Sequence, residues 1–160
     1  PMGVMIEVPA AVFLIRDLAK KVDFISVGSN DLTQYLLAVD RNNARVAALY
    51  DAFHPAMLKT LIHIVEGAQA EGVEVSICGE MASDPLAVIL LIAMGFKHLS
   101  MNSSSLAKVK WVIRSITIVT ARRLLGHVLS LQHAEEIRHF LQNALEEEGL
   151  SALLHAGRVL

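Results

Sequence analysis

The sequence predicts an α/β protein with a parallel β-sheet, followed by a helical tail. Short apolar runs alternate with segments of helical periodicity four times in the first hundred residues. Proline opens several of the helical segments and glycine follows their last turns, which are the positions that these residues prefer. Because parallel strands must be joined by a crossover, usually a helix, this alternation predicts a parallel sheet.

The first two strand–helix units span the first forty residues. Residues 4–6 form the first apolar run, and Pro9 opens a helical segment at 10–22. Residues 24–27 form the second apolar run, and the helical pattern resumes at 32–38. Apolar side chains recur at helical spacing in the first of these segments, which indicates a helix with one buried face.

The next two units follow the same order. A helix is expected at 55–70, a strand at 75–77, a second helix at 85–95 and a strand at 98–101. The segment 85–95 is the longest apolar stretch, but it is shorter than the roughly 18 residues that a membrane span needs. It therefore predicts a buried helix.

The chain from residue 105 lacks this alternation and predicts a helical tail. One helix is indicated by apolar residues at helical spacing, namely Ile137, Phe140, Leu141, Ala144 and Leu145. An earlier helix is indicated by a similar set, Val119, Leu124, Leu125 and Val128. Residues 146–148 predict a solvated acidic end, and residues 149–157 predict a last short helix or a mobile end.

The composition excludes several classes of protein. The 160 residues are enough for one domain with a core. The net charge of −2 provides no basic surface for nucleic acid, and no segment predicts a membrane span or a signal peptide. The single cysteine excludes an internal disulfide and indicates a reducing compartment, so we expect a cytoplasmic protein. Because the chain does not begin with Met, we expect it to be part of a longer protein.

Polar or reactive side chains follow every apolar run. They are Glu7, Asn30, Asp31, Cys78, Glu80, Asn102 and Ser103. The strands of a parallel sheet point the same way, so their C-terminal ends meet at one end of the sheet, where binding sites form. We call this the carboxyl end. Glu7 is therefore expected to face a site and not to lie buried in a strand.

Several of these candidate residues also have an ordinary structural interpretation. Glu7 and Asp31 could together hold Mg²⁺, which takes one or two carboxylates plus substrate phosphate. Asp31 could instead open a helix in a capping box with Gln34. Cys78 could be reactive, or it could be a small buried hydrophobe, as most lone cysteines are.

Arg41 and the histidines are open to ordinary interpretations too. Arg41 could be a surface charge paired with its neighbour Asp40. None of the seven histidines has a metal-ligand spacing such as H-E-x-x-H. His54 is expected to help form a turn. The tail histidines are expected to face solvent, and they are His127, His133, His139 and His155.

Five longer segments carry a specific resemblance. GVMIEVPAA, DFISVGSNDLTQYLLAVDRNN, HPAML, ICGEMASDP and HLSMN occur in this order. Together they resemble the C-terminal domain of enzyme I of the phosphotransferase system, the family of phosphoenolpyruvate–protein phosphotransferases. The resemblance covers residues 3–114 and, more weakly, the tail. The variants AVDRNN, HPAML and HLSMN are most similar to the nitrogen-related branch of the family.

The resemblance implies a fold and an activity. The fold is a (β/α)₈ TIM barrel, of which this chain would supply about strands five to eight. Residues 1–114 would be the C-terminal half of the phosphoenolpyruvate-binding barrel, and residues 115–160 a helical tail of the same domain. The activity is Mg²⁺-dependent transfer of the phosphoryl group of phosphoenolpyruvate to a histidine on another domain, leaving pyruvate. Homodimers and a phosphocarrier protein as partner are implied as well.

The resemblance also implies residue roles. Glu7 and Asp31 match two Mg²⁺ ligands. Asn30 and Arg41, together with Asp31, match residues that bind phosphoenolpyruvate, with the arginine on its phosphate. Cys78 matches the acid that protonates the carbon of the pyruvate enolate.

Two other functions stay open on the sequence alone. As an isolated piece, the chain would be a non-catalytic module that dimerises. It could also belong to another Mg²⁺-dependent enolate-forming barrel enzyme, of the pyruvate phosphate dikinase or phosphoenolpyruvate synthase type, although the sequences at 40–41 and 78–80 argue against this. Asn42 and Ser83 stand where the family frequently has glycine, and we expect neither to abolish function.

Overall fold

A computed structural model describes residues 1–149 and contains a four-stranded parallel sheet. The strands are β1 (Gly3–Ile6), β2 (Phe24–Gly28), β3 (Glu74–Cys78) and β4 (His98–Leu99). They lie in the order β1-β2-β3-β4, and each neighbouring pair is parallel. The predicted α/β fold with a parallel sheet is therefore confirmed. The last strand is shorter than predicted, although the Ser100 amide still donates to the Ile77 carbonyl at 2.8 Å.

Eight α-helices accompany the strands in the described residues. They are α1 (Pro9–Phe13), α2 (Ile15–Ala19), α3 (Ser29–Leu37), α4 (Pro55–Gln69), α5 (Pro85–Met94), α6 (Ser103–Ser115), α7 (Ile118–Val128) and α8 (Ala134–Glu147). The predicted single helix at 10–22 is wrong, because Leu14, at φ −100° and ψ 12°, divides it into α1 and α2. The break leaves Phe13 and Leu14 exposed while Val12 and Ile15 enter the core.

Helix α5 lies at the centre of the core. Its residues 86–91 are all buried, which confirms the prediction of a buried helix from the apolar stretch. The Asp84 side chain caps its first turn by accepting from the Leu86 amide at 2.8 Å. Gly95 ends the helix at φ 103°, a left-handed conformation that suits glycine. None of the described helices is both long and apolar enough to cross a membrane.

The tail helices pack on the same core as the strand–helix units. Leu124, Ile137 and Leu141 are buried in one cluster with the residues under the sheet. The face predicted for α7 is shifted, since Val119 is 75 % exposed and Ala121 is buried instead. The tail histidines within residues 1–149 and the acidic residues 146–148 are exposed, as predicted. The last helix was predicted at 149–157, and all of it except Gly149 lies outside the described residues. His155 lies outside them too.

The two faces of the sheet have different surroundings. Alternate side chains point to opposite faces of a strand, and one face carries the buried residues Ile6, Ile25, Val27, Val75 and Ile77. The other face carries Met5 and Phe24, which are 49 % and 45 % exposed. We call it the uncovered face. No described strand pairs with the free sides of β1 and β4.

A long connection joins α3 to α4 and passes over the carboxyl end of the sheet. This 38–54 connection begins at Ala38, whose φ of 53° turns the chain out of α3. It contains a single 3₁₀ turn at Ala47–Leu49 and ends at His54, whose Nδ1 accepts from the Ala56 amide and so caps α4. Long connections of this kind often carry binding residues.

Candidate active site at the carboxyl end of the sheet

The side chains predicted for the site stand where the parallel strands end. Ile6 pairs with Val27 and Gly28 pairs with Cys78, so the ends of β1, β2 and β3 are in register. Glu7 follows β1 directly, while Asn30 and Asp31 follow β2 within the first turn of α3. The register therefore brings residues from three separate segments to the carboxyl end.

Glu7 lies against the end of the neighbouring strand. A Cβ atom added to Gly28 would come within 2.7 Å of both Cγ and Oε1 of Glu7. Glycine at position 28 thus leaves the space that the Glu7 side chain occupies. The half-buried carboxylate is held at the end of the sheet by this close approach.

Helix α3 begins earlier than predicted, and this changes the surroundings of Asp31. The helix starts at Ser29, and the cap position is Gly28, so the capping box expected of Asp31 with Gln34 does not form. Asp31 stands instead in the first helical turn, where the helix dipole favours a carboxylate. Its Oδ1 lies 3.6 Å from Nη2 of Arg41.

Arg41 is tied to α3 by its backbone as well as by its side chain. Its amide donates to Oε1 of Gln34 at 3.2 Å, and its guanidinium pairs with Asp31. The alternative pairing with Asp40 is wrong, because Asp40 accepts from the Asn42 amide at 2.8 Å instead. The structure thus places a guanidinium and a carboxylate together at the carboxyl end, and both side chains are more than half buried.

Asn30 joins α3 to the loop that follows β3. Its Oδ1 accepts from the Glu80 amide at 3.0 Å, and its carbonyl accepts from the Tyr50 hydroxyl at 3.2 Å. The Ser29 hydroxyl donates to the Cys78 carbonyl at 2.7 Å. We call residues 79–84 the 79–84 loop. These bonds fix the start of α3, the 38–54 connection and the 79–84 loop to one another.

Gly79 lets the 79–84 loop lie close to Ser29 and Asn30 at the start of α3. Its replacement gives a first prediction. Its φ is 95°, and an added Cβ would meet the Ser29 hydroxyl and come within 2.8 Å of Oδ1 of Asn30. We expect Gly79→Ala to lower the free energy of unfolding by about 1–3 kcal/mol, because residues with a side chain rarely adopt a positive φ. Urea denaturation would measure the change.

Gly126 is the matched control for that measurement. It lies within α7, and an added Cβ there has no neighbour within 4 Å. Gly126→Ala should raise stability by about 0.5–1 kcal/mol, since alanine favours a helix over glycine. Equal effects of the two substitutions would contradict the role given to Gly79.

Cys78 is the last residue of β3 and lies on the uncovered face. Its neighbours Val75 and Ile77 point to the core, whereas Ser76 and Cys78 alternate to the opposite side. The thiol is half-buried, and its Sγ donates to the Val27 carbonyl at 3.5 Å. The thiol therefore lies near the carboxyl end of the sheet, on the uncovered face, and is partly exposed.

An open cleft of about 430 Å³ lies between the ends of β3 and β4. Its lining consists of Asn30, Gly79, Glu80, Ser83, Ser100, Met101 and Asn102. Three of the predicted strand-end residues, Asn30, Glu80 and Asn102, line this cleft, whereas Glu7, Asp31, Arg41 and Cys78 do not. A separate cavity of about 530 Å³ between α7 and α8 contains no strand-end residue.

Tyr50 belongs to the site, although the sequence analysis did not identify it. Burial raises the pKa of Tyr50, and hydrogen bonding to Thr33 and the positive charge of Arg41 only partly offset that effect. The phenol therefore stays protonated and donates to the Asn30 carbonyl. It lies in the 38–54 connection, where no periodicity marks a residue as part of a site.

The fold and this site define the class of protein. An α/β protein with a carboxylate, an amide, a guanidinium and a thiol at the carboxyl end of a parallel sheet belongs to the class that binds its ligand at that end. Comparison with known families identifies the family. The model of the family "PEP-utilising enzyme, PEP-binding domain" matches residues 1–118, and the chain belongs to this family. The family-level resemblance is thereby confirmed.

Curated relatives match nearly the whole chain. The chain is 49 % identical over 156 residues to "Phosphoenolpyruvate-dependent phosphotransferase system" of Escherichia coli K12. The match covers 98 % of this chain and 21 % of that protein. The chain is 42 % identical to "Phosphoenolpyruvate-protein phosphotransferase" of Geobacillus stearothermophilus (88 % of this chain, 24 % of that protein). The protein of the same name from Haemophilus influenzae is 39 % identical (94 % and 26 %).

The chain thus spans about a fifth to a quarter of the length of these relatives. Two of them carry the name of an enzyme, which supports the prediction that the chain comes from an enzyme family.

Proposed function

We propose that the protein carrying this chain transfers the phosphoryl group of phosphoenolpyruvate to a histidine on another domain, leaving pyruvate. The observation that carries this proposal is the Asp31–Arg41 pair at the carboxyl end of the sheet, within a chain of the PEP-binding family. A carboxylate beside a guanidinium suits a ligand that brings both phosphate and a metal ion. This chain would supply part of the phosphoenolpyruvate site.

The four strands are proposed to be about half of a (β/α)₈ barrel. Met5 and Phe24 are half exposed on the uncovered face, and β1 and β4 both have a free side in the described residues. A barrel of this type fills its interior with side chains and leaves no free strand edge. Four further strands would cover the face and pair with both outer strands.

Glu7 and Asp31 are proposed to hold Mg²⁺. The donor set fits, because Mg²⁺ takes carboxylate oxygens together with substrate phosphate. The space left by Gly28 is filled by the Glu7 carboxylate, and Oδ1 of Asp31 lies 3.6 Å from Nη2 of Arg41. Among residues 1–149, no three His, Cys, Asp or Glu side chains form a metal site, so substrate oxygens would complete the coordination. The ion would neutralise charge on the phosphate and on the enolate.

The chain's own side chains would bind and orient the substrate. Arg41 presents a planar guanidinium, whose donors match phosphate oxygens. The Oδ1 of Asn30 is already occupied by the Glu80 amide, so the side chain offers its Nδ2 donors to the ligand. Cys78 would deliver its thiol proton to the carbon of the enolate once the phosphoryl group has left. The new C–H bond then completes pyruvate.

The finer assignments follow from the same proposal. The motifs at 38–43, 54–58 and 98–102 support membership of the nitrogen-related branch. A phosphocarrier protein would receive the phosphoryl group from the histidine domain, and the protein would act as a homodimer in the cytoplasm. The family match and the names of the relatives support phosphoenolpyruvate and a phosphocarrier protein as partners.

One assay tests the proposed function. The full natural protein should convert phosphoenolpyruvate to pyruvate with Mg²⁺, and ³²P-labelled phosphoenolpyruvate should leave an acid-labile label typical of phosphohistidine. Removal of divalent ions with EDTA should abolish both signals. Pyruvate formation that requires AMP and pyrophosphate or phosphate would instead identify the dikinase or synthase type. A protein that neither turns over phosphoenolpyruvate nor becomes labelled would disprove the proposal.

A second prediction concerns the 160-residue chain in isolation. We expect it to be inactive and to self-associate, because its uncovered face and free strand edges favour association. Sedimentation velocity at micromolar concentrations would detect the oligomers. Met5→Lys should weaken association by placing a charge on the uncovered face, whereas Val119→Lys on α7 should not. A monomer throughout this range, or any phosphoryl transfer by the chain alone, would contradict the prediction.

A further inference from the structure

Arg138 on α8 contacts two carboxylates and an aromatic ring. Its Nη2 donates to Oδ1 of Asp51 at 2.7 Å, and its Nε donates to Oδ2 of the same carboxylate at 3.3 Å. Its guanidinium lies 4.2 Å from the centre of the Phe53 ring, and its Nη1 lies 3.9 Å from Oδ2 of Asp84. The residue lies beyond the family match, which ends at 118.

Two of these contacts hold the 38–54 connection. Asp51 and Phe53 belong to its last part, and Oδ1 of Asp51 also accepts from the Phe53 amide at 2.8 Å. Phe53 is almost completely buried, so its ring is a fixed surface for the guanidinium. The residue next to Asp51 is Tyr50, whose hydroxyl donates to the Asn30 carbonyl. Arg138 therefore holds the chain directly beside a residue of the site.

The third contact reaches the 79–84 loop. Asp84 ends this loop and caps α5 through its Oδ1, while its Oδ2 faces Arg138. The same loop begins at Gly79 and contributes the Glu80 amide that binds Asn30. One side chain of the tail thus contacts both loops that border the carboxyl end.

Arginine suits this position for a physical reason. Its planar fork can bind a carboxylate through two donors while its face stacks on an aromatic ring. Lysine has a single ammonium group and cannot do both. Charge-assisted bonds with this geometry restrain the groups that they join more than a single surface pair does.

We propose that Arg138 is a positioning residue of the active site, which places Arg41 and Tyr50 by holding Asp51 and the 38–54 connection. This inference rests on the proposed function. Arg138 itself does not touch the substrate; it acts through the connection that carries Arg41. The helical tail beyond the family match then contributes to the geometry of the active site.

Kinetics of the full natural protein test the proposal. Arg138→Met should raise the KM for phosphoenolpyruvate by about tenfold, because loosening of Arg41 weakens substrate binding. Arg138→Lys should have an intermediate effect, since it keeps the charge and loses the fork. Arg122→Met, which removes an exposed arginine of α7, should change KM by less than about twofold.

A double-mutant cycle shows whether the effect of Arg138 on KM acts through Arg41. In an Arg41→Lys background, Arg138→Met should add less than about twofold to KM, because the group that it positions is already altered. The loss in melting temperature should be the same in both backgrounds. An equal rise of KM in both backgrounds would mean that Arg138 acts independently of Arg41, and would overturn the proposal.

Hydrogen exchange measured by mass spectrometry provides a readout that does not depend on activity. Arg138→Met should accelerate amide exchange in residues 41–53 and leave β2 and β3 unchanged. Unchanged exchange at 41–53 would overturn the proposal whatever the kinetics show. A wild-type protein without phosphoenolpyruvate turnover would instead disprove the proposed function, and exchange would still decide whether Arg138 holds the connection.

Discussion

Replacement of Glu7 or Asp31 with alanine is expected to lower Mg²⁺-dependent phosphoenolpyruvate turnover by about 10³-fold, because the ion neutralises the charge that develops during phosphoryl transfer. The two side chains come from the ends of adjacent strands, and Gly28 leaves room for the Glu7 carboxylate. Loss of either carboxylate would leave a single protein ligand for the ion. The rate of pyruvate formation over a range of Mg²⁺ concentrations would measure the effect.

The two variants should differ in substrate binding without metal. Asp31→Ala also removes the carboxylate that lies 3.6 Å from Arg41, so the guanidinium gains freedom to bind phosphate. Glu7→Ala leaves that pair intact. We therefore expect Asp31→Ala to bind phosphoenolpyruvate more tightly than Glu7→Ala when EDTA is present.

Asp17→Ala is the control for both substitutions. Asp17 is an exposed acid on α2 that pairs with Lys20 at the surface, and its loss should leave turnover unchanged within about twofold. Normal turnover in both the Glu7 and the Asp31 variants would show that neither carboxylate holds the ion.

Replacement of Cys78 with alanine is expected to lower pyruvate formation by about 10²–10⁴-fold, the range found for loss of a general acid. Transfer of the phosphoryl group leaves the enolate, and the substitution removes the proposed donor of a proton to its carbon. Binding of phosphoenolpyruvate and Mg²⁺ should persist, because Cys78 is assigned to neither. Pyruvate formation and titration calorimetry would measure the two properties separately.

Ser76→Ala is the matched control for the thiol. Ser76 lies two residues earlier on the same uncovered face, and its hydroxyl donates to the Ile25 carbonyl at 3.2 Å. Its loss should cost little activity if the proton comes from Cys78 alone. Lost binding in Cys78→Ala would mean that the cysteine is structural, and full activity with retained binding would mean that water supplies the proton.

Much of the fold could be predicted because its signals are local. Apolar runs, proline at helix starts and glycine at helix ends specify strands and helices from a few neighbouring residues, and a parallel sheet follows from their alternation. The predictions of Glu7, Asn30, Asp31 and Cys78 as site candidates had the same origin, since each stands at or just beyond the end of a strand. Sequence order alone therefore indicated the carboxyl end of the sheet.

The partners of these residues depended on how the chain is folded. Whether Arg41 pairs with Asp40 or with Asp31 is decided by the path of the 38–54 connection out of α3, which no periodic pattern describes. The break at Leu14 and the early start of α3 are likewise set by packing against the core. Local propensity is too weak to predict either.

Arg138 and Asp51 show most clearly which contacts cannot be predicted from the sequence, since 87 positions separate them in the chain. A salt bridge between residues so far apart leaves no spacing in the sequence, and it forms only when α8 packs beside α5 on the common core. Local patterns in the sequence were enough to specify the order of strands and helices and the end of the sheet at which the polar and reactive side chains stand. Which of those side chains meet depends on the three-dimensional packing, because long-range contacts form between whole elements and not within a local pattern.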